Sequence, residues 1–189
     1  MKTGLLIIDI QNDYFPGGRM ALEGTGRAAD NAAALLAAFR RLQLPVIHVQ
    51  HVATQPGATF FLPGTEGADI HASVLPREGE AVIQKHYPSA FRQTRLLEYL
   101  GQQGIGKLVV AGMMTHMCID TSTRAACDLG FAIELAHDAC ATKALSFGGV
   151  EVPAGQVQAA YLAALDGVFA TVRDTQAIVA ALAAEQAGS

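Results

Sequence analysis

Three residues of this chain have types and positions suited to nucleophilic chemistry: Asp9, Lys85 and Cys118. Cys118 ends the run Leu108-Val109-Val110-Ala111-Gly112-Met113-Met114-Thr115-His116-Met117-Cys118, which reads as a buried strand and then a tight turn. Ile119 to Leu129 has helical composition, and Gly130 is its stop signal. A cysteine at a strand-to-helix turn has its sulfur at a helix N-terminus. The partial positive charge there lowers the thiol pKa and favours the thiolate. Asp9 directly follows Leu5-Leu6-Ile7-Ile8, and Lys85 follows Ala81-Val82-Ile83-Gln84. If these strands are parallel neighbours, an acid/base, a cation and a nucleophile meet at one edge of a sheet.

Each residue also has a plainer reading. Cys118 can be a small buried hydrophobe, Asp9 a turn cap and Lys85 a strand-end residue snorkelling to water. A carboxylate straight after four apolar residues is costly to desolvate unless it is paired. Three reactive groups at three strand ends favour reading them together. Cys127, beside Ala125 and Ala126, reads as packing, and Cys140 as a structural residue in a loop that borders the site.

The elements that must position these groups alternate along the chain. Strands are expected at Leu5 to Ile10, Val46 to His51, Ala81 to Gln84, Lys107 to Ala111, Ala132 to Ala136 and Phe169 to Val172. Helices are expected at Ala29 to Gln43, Thr94 to Gln103, Ile119 to Leu129, Pro153 to Leu165 and Thr175 to Ala187, with the tail fraying near Gly188. Such alternation implies an α/β fold, a parallel sheet covered on both faces, with its site beyond the carboxyl ends of the strands. The segment from Val52 to Glu80 is rich in Gly, Pro and Thr and has no clear period. Connections of that length are often functional.

Composition narrows the function classes. The 189 residues fit one domain, residues 1–189, with a sizeable core. The net charge of -4 gives no electrostatic reason to bind nucleic acid or an acidic membrane. The first apolar stretch is short and ends at Asp9, which suits neither a signal peptide nor a membrane span. Three cysteines argue against a disulfide framework, so a reducing cytoplasm is the expected compartment. Only 16% of residues are charged, an apolar balance that suggests a homo-oligomer, a dimer or tetramer. In that case the 52–80 loop would reach a neighbour's pocket, or else fold over its own.

His48 and His51 lie three apart on a strand, so they face opposite sides and cannot share a metal ion. No His-x-x-x-His or paired-cysteine pattern is present, and no metal or other cofactor is expected. Gly17-Gly18 and Gly148-Gly149 are loop signals without a nucleotide-binding pattern. His116 in the nucleophile turn either touches substrate or is an exposed turn residue. Phe15, His51, Tyr87 and Phe91 complete the substrate-binding candidates.

The motifs Leu6-Ile7-Ile8-Asp9-Ile10-Gln11-Asn12-Asp13-Tyr14-Phe15, Lys85-His86-Tyr87-Pro88-Ser89-Ala90-Phe91, Gly112-Met113-Met114-Thr115-His116-Met117-Cys118-Ile119 and Thr123-Arg124-Ala125-Ala126-Cys127-Asp128-Leu129-Gly130 resemble the isochorismatase-like cysteine hydrolases. The resemblance implies a three-layer α/β/α fold around a six-stranded parallel sheet. It also implies a triad at Asp9, Lys85 and Cys118, and a cis peptide between Met113 and Met114. The nicotinamidases' metal-binding Asp-x-His is absent here, where the chain reads Val49-Gln50-His51-Val52-Ala53-Thr54. Isochorismatases proper lack the cysteine. The chain therefore looks more like the branch with maleamate, N-carbamoylsarcosine and streptothricin hydrolases.

The implied reaction is hydrolysis of a small amide, lactam or carbamoyl C–N bond through a thioester on Cys118, with the N–H groups of Met114 and Cys118 as oxyanion hole. The alternatives are vinyl-ether hydrolysis on the same fold, a thiol redox protein, and a non-catalytic binding module.

Overall fold

The structure is a computed structural model and describes residues 1–187. The expected fraying near Gly188 lies outside them. Six parallel strands form the central sheet: β1 (Lys2–Ile8), β2 (Val46–His51), β3 (Ala81–Lys85), β4 (Ile105–Met113), β5 (Ala132–Ala141) and β8 (Thr171–Arg173). Their spatial order is β3-β2-β1-β4-β5-β8. The helices are α1 (Thr25–Arg41), α2 (Leu96–Gln102), α3 (Asp120–Asp128), α4 (Ala154–Leu165) and α5 (Thr175–Ala187). A small hairpin, β6 (Leu145–Phe147) and β7 (Val150–Val152), stands apart from the sheet.

Both faces of β1 are buried, so its side chains alternate between two cores rather than between core and water. Leu5 and Ile7 enter a cluster with Ala28, Ala32, Leu35 and Phe39 of α1 and Ile178 and Leu182 of α5. Leu6 and Ile8 enter the opposite cluster, with Leu96 and Leu100 of α2, Ala126 of α3 and Leu165 of α4. The three layers are therefore α1 and α5, the sheet, and α2, α3 and α4. Among the described residues no helix is long and apolar enough to cross a membrane.

Strand order reverses beside β1. The chain passes from β1 outward to β2 and β3, then returns to place β4 on the other flank of β1. The ends of β1 and β4 thus border the crevice where sites form in such sheets.

Several element ends differ from the sequence reading. The first strand stops at Ile8, because Asp9 adopts a left-handed conformation with φ 52°. The fourth and fifth strands run further, to Met113 and Ala141. Cys140 is consequently a strand residue and not a loop residue. Cys118 precedes α3, as expected, but the turn that carries it, Thr115–Ile119, is π-helical. The β6–β7 hairpin was legible only as its Gly148-Gly149 turn; its two strands of three residues show no run of apolar residues to mark them.

Gly112 shows why β4 can run so close to β1. Its φ is 136°, and a Cβ there would lie 1.9 Å from the Ile8 carbonyl oxygen. Only a residue without a side chain fits. We expect Gly112→Ala to cost about 3 kcal/mol or more, through backbone collision and strain. Urea unfolding monitored by circular dichroism measures this, and a loss under about 1 kcal/mol would contradict it.

Candidate active site

The topology brings Asp9, Lys85 and Cys118 together. Asp9 follows β1, Lys85 ends β3, and Cys118 lies in the π-helical turn after β4. Lys85 starts two strands from Asp9, with β2 between them, and it is in register with His51. The long side chain crosses that gap. Lys85 Nζ lies 2.7 Å from Asp9 Oδ2, 2.9 Å from His51 Nδ1, 3.1 Å from the Tyr87 carbonyl oxygen and 3.3 Å from Cys118 Sγ. Three ammonium protons thus face four acceptors. Asp9 and Lys85 are fully buried, and Cys118 is 4% exposed.

Burial alone would lower the Lys85 pKa, but Asp9 and Cys118 more than offset it and the pKa is raised, so the ammonium persists. His51 is driven down to about 4 by burial and by Lys85, so it is neutral near pH 7 and Nδ1 is free to accept. Cys118 behaves differently from the sequence reading. Burial first, and then the Asp9 carboxylate, push its thiol pKa up, against the pull of Lys85. The resting residue is a thiol, not a thiolate. Asp9 Oδ1 is buried and receives no hydrogen bond from an N–H or O–H donor, so it is placed to take that proton.

Asp9, His51 and Cys118 present three donor atoms within 4.8 Å of one another. Lys85 Nζ stands among them at 2.7, 2.9 and 3.3 Å, so an ammonium already holds the position a metal ion would need. The residues do not fit a metal here. Other histidines point elsewhere: His48 to Glu80, His71 to Ser73, His86 to the Val52 carbonyl and His116 to Thr142.

The remaining candidates divide. His51 and Tyr87 reach the centre, Tyr87 through its carbonyl while its ring lies under Arg92. Phe15 stacks on His71 at 3.6 Å between ring centroids. Phe91 is drawn into the core against Phe131. His116 is buried and turns its ring to Thr142 and Tyr161.

The 52–80 segment folds over its own chain. Phe61 is buried against Tyr14 and His51, with ring centroids at 4.6 and 5.8 Å. Sequence reasoning assigned no role to the residues that hold it. Gln11 donates to the carbonyls of His51 and Ala68 and accepts from the His51 N–H. Asn12 donates to the Glu66 carbonyl, and Asp13 accepts from the N–H groups of Arg19 and Phe61. The signal was present: three consecutive polar residues follow a buried strand and must find partners. Tyr14, next in line, keeps its proton because burial, Cys118, Asp9 and Asp13 all raise its pKa.

A separate cavity of about 540 Å³ opens between α1, the end of β5 and α4, lined among others by Glu23, Arg27, His137, Thr142 and Gln158. None of Asp9, Lys85 and Cys118 lines it.

Residues 3–177 match the family model of the isochorismatase domain. The chain belongs to the isochorismatase family. It is a hydrolase of that family. An isochorismatase family protein of Bacillus subtilis, YddQ, is 51% identical over 95% of this chain and 99% of its own length. Maleamate amidohydrolase of Pseudomonas putida is 33% identical over 69% of this chain and 68% of its own. The crystal structure of an isochorismatase hydrolase from Oleispira antarctica superposes with a TM-score of 0.92 at 52% identity, covering 95% of this chain and 96% of that one.

The thiol's raised pKa makes a counter-intuitive prediction for Asp9→Asn. Removing the carboxylate leaves Cys118 as the acidic partner that can neutralise the Lys85 ammonium, so the buried pair re-forms as ammonium and thiolate and the thiolate fraction rises at pH 7. Iodoacetamide should alkylate Cys118 about tenfold faster or more in the variant, since one pKa unit is tenfold in thiolate. Peptide mapping against time reads this; slower alkylation would show that Asp9 does not raise the thiol pKa.

Proposed function

We propose that this hydrolase cleaves the C–N bond of a small amide, lactam or carbamoyl compound through a thioester on Cys118. The observation that carries the reading is the buried cluster in which Lys85 touches both Asp9 and Cys118. It contains a protonated nucleophile, a carboxylate and a fixed cation, which are the groups that acyl transfer needs.

The thiol proton passes to Asp9 as sulfur attacks the carbonyl carbon. Lys85 stabilises the sulfur as negative charge develops there. The carbonyl oxygen becomes an oxyanion, held by the N–H groups of Met114 and Cys118. Donors aimed at the developing charge are worth about 100–1,000-fold in rate each. The intermediate collapses, the C–N bond breaks, and the nitrogen leaves with the proton from Asp9. Asp9, again a carboxylate, takes a proton from water as that water attacks the thioester. The C–S bond breaks, the acid departs, and the proton returns to sulfur. No step needs a metal or an organic cofactor.

The similarity to maleamate amidohydrolase supports C–N bond chemistry. The nearly sealed sulfur supports a small substrate: with Cys118 only 4% exposed, a bulky acyl group does not reach it without displacing neighbouring side chains.

A screen of small amides for ammonia release tests the proposal, with Cys118→Ala as control. The wild type should turn over at least one of them, and Cys118→Ala none. Asp9→Asn and Lys85→Ala should each lower kcat by about 100-fold or more while keeping the folded spectrum. Chelators should leave the rate unchanged. A thioester adduct on Cys118, seen by mass spectrometry after acid quench, separates this chemistry from vinyl-ether hydrolysis. Ammonia release by Cys118→Ala at the wild-type rate would refute the proposal.

A further inference from the structure

We infer that Gln158 is a positioning residue that fixes the nucleophile turn through Thr115. This rests on the thioester reading above and adds a residue on α4 to the machinery.

The sheet is irregular beside the nucleophile turn. Between β4 and β5 the register jumps from Val110 opposite Leu135 to Gly112 opposite Cys140. Ala136, His137, Asp138 and Ala139 therefore lie opposite Ala111 alone, and the regular ladder does not serve all their carbonyls. Side-chain amides do so instead. Asn31 Nδ2 donates to the Asp138 carbonyl at 2.8 Å. Gln158 Nε2 donates to the His137 carbonyl at 3.1 Å and to the Cys140 carbonyl at 3.4 Å.

Those two acceptors fix the orientation of the Gln158 amide. Carbonyl oxygens only accept, so the NH2 end must face them and Oε1 must point away. Oε1 lies 2.6 Å from Thr115 Oγ1, and it only accepts, so the threonine hydroxyl donates. Thr115 is fully buried, with the Ala141 carbonyl at 3.3 Å as the alternative acceptor. Gln158 thus ties three parts together: the irregular stretch of β5, helix α4, and the first residue of the π-helical turn that carries Cys118.

The place of Thr115 makes this tie matter for chemistry. It directly follows Met114, whose carbonyl accepts from the Met117 and Ile119 N–H groups and so sets the start of the turn. The N–H groups proposed to hold the oxyanion belong to Met114 and Cys118, which flank the pinned residue. A tilt of the peptide planes beside Thr115 misdirects them, while the Cys118 side chain keeps its contact with Lys85, which is held with Asp9 from β3 and β1. Gln158 is consequently required for steps that develop an oxyanion and not for making sulfur reactive.

Two reagents separate these effects. p-Nitrophenyl acetate acylates a thiol through a tetrahedral oxyanion; iodoacetamide alkylates it by displacement at carbon and forms none. In Gln158→Leu, acylation of Cys118 should fall about 10–100-fold, a misplaced donor costing up to what a lost one does. Alkylation should stay within about twofold of wild type. Thr115→Val cuts the same bond from the other end and should show the same split; it decides the matter if Gln158→Leu does not fold. The double variant should be no slower in acylation than the worse single one, as expected for two ends of one contact. Equal losses in acylation and alkylation would show a merely structural role, and no loss in either would show none; both overturn the inference. A wild type that iodoacetamide alkylates but the ester never acylates would overturn the thioester reading itself.

Discussion

An ammonium group with no exposed surface ends β3, and Asp9 Oδ2 at 2.7 Å is what allows it to stay charged there. Desolvating either ion alone costs several kcal/mol, and their attraction offsets this only with good geometry and further hydrogen bonds. Lys85 obtains those bonds from His51, the Tyr87 carbonyl and Cys118. The pair draws together β1 and β3, the turn after β4 and, through His51, β2. Removing one member strands the other charge. The arrangement is therefore one unit, and the neutral His51, the neutral thiol and the protonated Tyr14 follow from it. With one net cation and one net anion already buried, the site holds no further charge at rest.

The backbone around that unit is shaped for it. Asp9 adopts a positive φ that few residues other than Gly, Asn and Asp take up readily. This ends the strand and turns the carboxylate inward while its N–H still bonds to the Val49 carbonyl. Across the crevice, Gly112 lets β4 lie against the Ile8 carbonyl, three residues before the nucleophile turn begins at Thr115. The irregular register of β4 with β5 belongs to the same corner. The departures from regular structure gather where the reacting groups meet, which is where a fold is expected to depart from local preference.

Much of this was legible in the chain. Apolar runs ending in Asp9 and Lys85, and a glycine ahead of Cys118, gave the strands and the convergence of these three groups at their ends, because a parallel sheet buries both faces and leaves few polar positions inside it. The α/β/α layering followed from the alternation of elements. What stayed hidden depended on distance in the sequence. The protonation of Cys118 could not be read from its turn, since the carboxylate that raises its pKa comes from the other end of the domain. Phe91 and Phe15 stand beside motif residues, yet tertiary packing sends one to Phe131 and the other to His71. The partners of Gln11, Asn12 and Asp13 lie about 40 to 57 residues away, apart from Arg19. Their polarity announced a need for partners but not which ones.

The grip of those three residues on the 52–80 segment has one further property. Gln11, Asn12 and Asp13 hold it through main-chain groups, the carbonyls of Glu66 and Ala68 and the N–H of Phe61, while Gln11 also clamps the His51 peptide at the end of β2. Every amino acid offers the same carbonyl, and all but proline the same N–H. These polar contacts are therefore indifferent to what the segment's side chains are, apart from the tight fit of Gly67 against the Asp13 carboxylate. Substitutions at the segment's exposed positions leave these contacts in place, whereas Phe61, packed against Tyr14 and His51, belongs to the core. In evolutionary terms, the exposed side chains of the segment are free to vary while its main-chain attachment stays the same. For an engineer, that segment is the place to build a library.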